Sequence, residues 1–154
     1  MFWKQEIKKK EEKRVKINNL LVDRKTGDYI CMGSSAVTLI LLIVYAIYGA
    51  VFNYFDTVVF GFLLLGMILG TAAAVLAGRV KMTGLLKLLA VMLTAGAFAL
   101  FFYNSFPVWA DGVNHITMYN SRGGLTPVIC LCVIFVIDLI GLIVSCFMRD
   151  GGEA

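Results

Sequence analysis

One carboxylate is out of place in this chain. Asp138 sits deep inside the apolar run from Leu125 to Met148, and no other acidic residue lies so far inside a hydrophobic segment. An acid in such a run has three kinds of chemistry open to it. It can hydrogen-bond within or between chains, pair with a cation on a partner subunit, or handle a proton or ion. Helical spacing places Cys130, Ile134, Asp138, Gly141 and Ser145 along one stripe that ends in small and polar groups, so Asp138 is predicted to face protein and not lipid. With a rise of ~1.5 Å per residue, Asp138 lies about 15 Å from the inner end of its run, near the bilayer midplane. On the same estimate Thr38 and Thr94 are level with it, and Thr71 is slightly closer to the inner side. Removal from water without a cationic partner favours the neutral acid, which could exchange hydrogen bonds with those threonines.

The other charge at the edge of an apolar run is Lys87, which shares a face with Ala90, Thr94 and Ala97. Its axial offset from Asp138 is about 10 Å or more, beyond comfortable reach. Its stem is expected to carry the ammonium group out to the nearer interface. The pattern therefore predicts hydroxyls around a protonated carboxyl and not a salt bridge.

A second set of chemically able residues lies in the polar stretch 104–124. Trp109, Asp111, Asn114, His115, Tyr119 and Arg122 combine aromatic platforms with donors and acceptors of both charge types. Such a mixture suits docking of a protein partner or a sugar-like ligand, or an aromatic belt at the headgroups. His115 is the sole histidine, which excludes a multi-histidine metal site. Cys130 and Cys132, two residues apart on a helix, point in different directions, so the four cysteines are expected to be free thiols. The sequence has no phosphate-binding glycine-rich loop, no H-E-x-x-H, no G-x-S-x-G and no repeat linking its halves, and it implies no cofactor.

These residues are carried by four long uncharged intervals. With 60% hydrophobic residues, 16% charged residues and a mean hydropathy of +0.85, the chain is far more apolar than soluble domains, which carry about 25% charge. Each interval can supply the roughly 20 residues that cross a hydrocarbon core of about 30 Å. The predicted fold is all-α, a polytopic integral membrane protein with a four-transmembrane-helix bundle. Spans are expected at about 30–52, 58–77, 85–103 and 125–148, with an outer loop at 104–124. Within the second span Gly66, Gly70, Ala74 and Gly78 recur every fourth residue, a flat strip fit for close approach of a helix from the same chain or a partner. Gly141 and Ser145 offer a similar, shorter strip.

The first span follows a charge-rich stretch of some 29 residues and lacks a cleavage site, so it reads as a retained helix. Segment 1–28 is expected to be a solvated or interfacial cytoplasmic helix ending in a turn at Lys25–Asp28, with Phe2 and Trp3 available as interface anchors. Residues 149–154 form a short polar tail. Nine of the 14 Lys and Arg precede Asp28, three lie between Arg79 and Lys87, and Arg122 and Arg149 complete the set. That bias predicts a cell-membrane protein with both termini cytoplasmic. The net charge of +4 is then mainly a topology signal, with a smaller attraction to anionic membrane lipids and none implied toward nucleic acid.

The leading expectation is a small non-enzymatic membrane subunit or scaffold, bound to a protein partner or to further copies of itself through its helices and outer loop. The alternative is a small oligomeric transporter or channel component using Asp138 at the midplane. A membrane-surface enzyme comes third.

Overall fold

The computed structural model describes residues 26–77, 82–116, 118 and 124–148. Within them the chain is helical and contains no strand: α1 is Thr26–Val51, α2 Thr57–Leu76, α3 Thr83–Asn114 and α4 Leu125–Phe147. Each helix is long and apolar enough to cross a membrane. The protein is a multi-pass membrane protein built as a four-helix bundle. α1 packs on α2 and α4, and α3 packs on the same two neighbours, which closes a ring. Ile40, Ile47, Ile137 and Ile140 are exposed on its outside, where lipid tails and not side chains complete the packing.

Two element boundaries depart from the sequence reading. α1 begins at Thr26, so Asp28 lies in a helical first turn and is buried instead of marking a turn outside the membrane. A carboxylate there faces the positive end of the helix dipole. α3 is the larger departure: it runs 32 residues, about 48 Å, and absorbs residues 104–114 of the expected outer loop. Pro107 lies inside it. Proline removes one helical hydrogen bond, but Phe101, Ser105 and Val108 continue the buried face begun by Lys87, Ala90, Thr94 and Ala97, and that packing carries the helix past the proline. Gly112 is a contact point within this extension. A Cβ there would come within 2.7 Å of Leu125 at the start of α4. α3 ends at His115, whose left-handed φ of 55° turns the chain while its amide donates to the Asp111 carbonyl.

The interior differs between the two ends of the bundle. Toward the Asp56 end it is filled by Leu41, Tyr45, Tyr48, Val59, Leu63, Ala97, Phe101, Val128, Leu131 and Phe135. Phe101 meets Phe135 at 5.5 Å between ring centroids and receives Tyr45 edge-on at 6.0 Å. Toward the Asp28 end large apolar groups give way to Cys31, Ala73 and Ala74, and to buried Asp28, Ser34, Ser35, Thr38, Thr83, Lys87, Thr94, Asp138 and Ser145. Segment 1–28 up to Lys25, the tail 149–154, and the candidate residues Gly78, Tyr119 and Arg122 lie outside the described residues.

Candidate functional site

On α4 the buried face is Val128, Leu131, Phe135, Asp138, Leu142 and Ser145. Asp138 and Ser145 point inward as their spacing requires. Cys130, placed on the same stripe by sequence, is exposed, and Ile134 is only half-buried. Steps of three and four drift around a 3.6-residue helix, so Leu131 and Phe135 take the inward positions toward the Asp56 end. All four cysteines are free.

Asp138 is 1% exposed. Its Oδ2 lies 2.8 Å from Thr38 Oγ1, and the same threonine oxygen lies 3.0 Å from the Ser34 carbonyl oxygen one turn back in α1. Asp138 Oδ1 has no hydrogen-bond partner, and neither does Thr94 Oγ1, which is fully buried on α3. Thr71 does not join this group. It is exposed on the outside of α2, and its hydroxyl reaches the Met67 and Ile68 carbonyls of its own helix at 2.9 Å each. Thr71 directly follows the buried Gly70, and the rotation between the two is something depth alone does not reveal, because adjacent positions on a helix face different ways.

Lys87 is the clearest correction. Its ammonium does not reach out to an interface: the residue is 1% exposed and Nζ lies 3.3 Å from Asp28 Oδ1, which is equally buried. The pair spans the ring from α3 to α1. The early start of α1 brings the carboxylate within reach, so two charges that would each be costly in an apolar interior neutralise one another.

The glycine strip acts inside the chain. Gly66 faces Thr94 and Ala90 of α3, while Gly70 lies between Ser35 of α1 and Ala90 of α3. Ala74 is buried beside Cys31. Gly141 faces Ser34 of α1. A pattern joins these contacts: each glycine lies opposite a hydroxyl. A Cβ would come within 2.9 Å of Thr94 Oγ1 at Gly66 and 2.8 Å of Ser35 Oγ at Gly70, and at Gly141 it would collide with Ser34 Oγ. The small residues are notches that admit polar side chains between helices. Ser35 and Ser145 also bond back to the Cys31 and Leu142 carbonyls at 2.9 and 2.7 Å.

The other end of the bundle carries a polar cluster that the sequence reading did not single out. Asp56 caps α2, with Oδ1 accepting from Val58 N at 2.8 Å, and its Oδ2 accepts from Asn104 Nδ2 of α3 at 2.5 Å. Tyr54 donates its hydroxyl proton to the Asn104 carbonyl. The Asp56 amide donates to the Tyr45 hydroxyl at 3.0 Å. The available signal was Asp56 itself, the sole charge between the first two apolar runs. Beside this cluster is an open groove of about 1240 Å³, walled by 53–58 on one side and by Ala99, Phe102, Tyr103, Asn104, Phe106 and Pro107 on the other. Asn104→Ala is expected to destabilise the fold by about 1–3 kcal/mol, the usual loss for a hydrogen bond to a charged group. Hydrogen exchange would show faster amide exchange in the α1–α2 turn while the lower half of α3 stays protected.

None of the described loop candidates lines that groove. Trp109 is half-buried against Phe102 at 5.8 Å between ring centroids, and its Nε1 finds no acceptor. Asp111 offers its backbone carbonyl to the amides of His115 and Ile116. Asn114 donates to the Ala110 carbonyl at 2.9 Å, and His115 is the exposed C-cap. Among the described residues no group of three His, Cys, Asp or Glu side chains could hold a metal ion. Compared with known proteins, the chain matches no family model, no curated protein and no solved structure.

Proposed function

We propose that this protein is a small non-enzymatic membrane subunit or scaffold that binds an apolar segment of a partner membrane protein along the far end of α3 and the groove beside it. The observation that carries this reading is the overrun of α3. At about 48 Å it exceeds a hydrocarbon core of about 30 Å by several turns. Yet apolar groups remain exposed along and just beyond its far part: Phe102, Tyr103, Phe106, Val113, Ile116 and Met118. Lipid tails cannot cover the last three if Lys87 marks the opposite boundary, so a protein surface is the natural cover. Gly66, Gly70 and Gly141 are already occupied within the chain, which moves the contact surface from these strips to this end. The Asp56–Asn104 cluster adds hydrogen-bonding groups at the edge of an aromatic wall, a composition suited to a binding hot spot.

A photo-crosslinking residue placed at Phe106 or Val113 in native membranes tests this. A discrete protein adduct is expected there, and lipid adducts alone at Ile40 and Ile137. Lipid adducts alone at all four positions would sink the proposal, and an adduct of twice the chain's own mass would make the partner a second copy. The proposed orientation, in the cell membrane with the Asp28 end and both termini in the cytoplasm, rests on the Lys and Arg bias. Protease access to the N-terminal segment in sealed vesicles checks it.

A further inference from the structure

Thr38 has one hydroxyl hydrogen and two oxygens within bonding distance, Asp138 Oδ2 at 2.8 Å and the Ser34 carbonyl at 3.0 Å. Both contacts can be full hydrogen bonds only if a second hydrogen is present, and Asp138 is the only one of the three groups able to bring it. A charged carboxylate would leave this inventory unbalanced. It would accept a single hydrogen bond at most, with Oδ1 unpartnered, in a residue 1% exposed, where an uncompensated charge is very costly.

Among the described residues no cation compensates it. The titratable residues whose side chains are buried on α1 are Asp28, Cys31, Tyr45 and Tyr48, and on α3 the only one is Lys87. Lys87 pairs with Asp28, and Asp28 lies ten residues, about 15 Å, along α1 from Thr38. α4 itself adds only the half-buried thiols of Cys132 and Cys146 and the exposed Cys130.

We propose that Asp138 is a proton-binding site: the neutral acid donates to Thr38 Oγ1, Thr38 donates to the Ser34 carbonyl, and the proton exchanges with water from the Asp28 end. That route is the polar side of the interior. Cys31, Ser34, Ser35 and Thr38 follow one another at three-, one- and three-residue steps on the buried face of α1, with Ser145 across from them on α4. On the opposite side Tyr45, Phe101, Phe135 and Leu131 fill the interior and exclude water. The site is independent of the partner-binding reading, since it lies inside the bundle, far from the groove.

Infrared difference spectroscopy on the full chain in lipid nanodiscs at neutral pH is the test. Wild type minus Asp138→Asn is expected to show one carboxylic-acid carbonyl band, and that band should shift to lower frequency after equilibration in D₂O. Thr38→Val should keep the band and move it to higher frequency, because the acid loses its acceptor; this variant serves also if Asp138→Asn does not fold. A carboxylate signal in place of the acid band, or an acid band indifferent to D₂O, overturns the proposal.

Discussion

Lys87→Ala is expected to lower stability by about 3–5 kcal/mol. Removing one member of a buried ion pair leaves the other charge desolvated and uncompensated, and that penalty exceeds the value of the pair itself. Here the group that loses its Lys87 partner is Asp28, 1% exposed at the start of α1. The reciprocal change, Asp28→Asn, should cost distinctly less, because the long Lys87 stem can then extend toward the nearby interface. The double change Lys87→Met with Asp28→Asn should recover most of the loss, since a well-packed neutral pair is often as stable as the ionic one. Thermal or SDS unfolding in detergent, followed by circular dichroism, reads all three. Equal losses for Lys87→Ala and the double variant, which keeps an apolar stem and strands no charge, would show that the ion pair itself is what holds the helices together.

Gly141→Ala should destabilise by about 1–3 kcal/mol, the usual range for overpacking a filled interior. Alanine ordinarily favours a helix over glycine, so the sign comes from the neighbour: the new Cβ would collide with Ser34 Oγ, with Ser34 Cβ behind it at 3.5 Å. Ser34→Ala removes the oxygen and leaves ordinary van der Waals contact, so the double variant should regain most of the lost stability. Gly61 supplies the control. Nothing lies within 4 Å of a Cβ there, and Gly61→Ala should be neutral or stabilising by up to about 1 kcal/mol. If Gly141→Ala behaved like Gly61→Ala, the hydroxyl notch between α4 and α1 would be ruled out. If Ser34→Ala failed to restore it, the obstruction would lie in the backbones themselves.

Much of the architecture is legible in one dimension. Four uncharged intervals of spanning length determine four helices, because a bilayer accepts little else. The 3.6-residue period determines that Lys87, Ala90, Thr94 and Ala97 share a buried face and that Asp138 and Ser145 point inward, as they do. Depth counted along the helices places Thr38 level with Asp138, and the two are in contact across α1 and α4.

What the tertiary structure decided is which faces meet. Thr71 lies at nearly the depth of Asp138 but on the wrong side of α2. Lys87 found its partner in Asp28, a residue outside the membrane on sequence reasoning, because α1 begins one turn early and the two helices cross the ring at that level. The glycine strip could have served a partner, and its occupants are Ser35, Ala90 and Thr94 of the same chain. Pro107 should have helped to end α3, and the packing of Phe101, Ser105 and Val108 outweighed it. The physical reason is common to all four. Hydropathy and helical period are properties of one segment and can be read from it, whereas the rotation, axial offset and length at which helices pack depend on pairs of segments whose side chains must fit each other. A sequence determines the faces, and only the assembled bundle decides what each face touches.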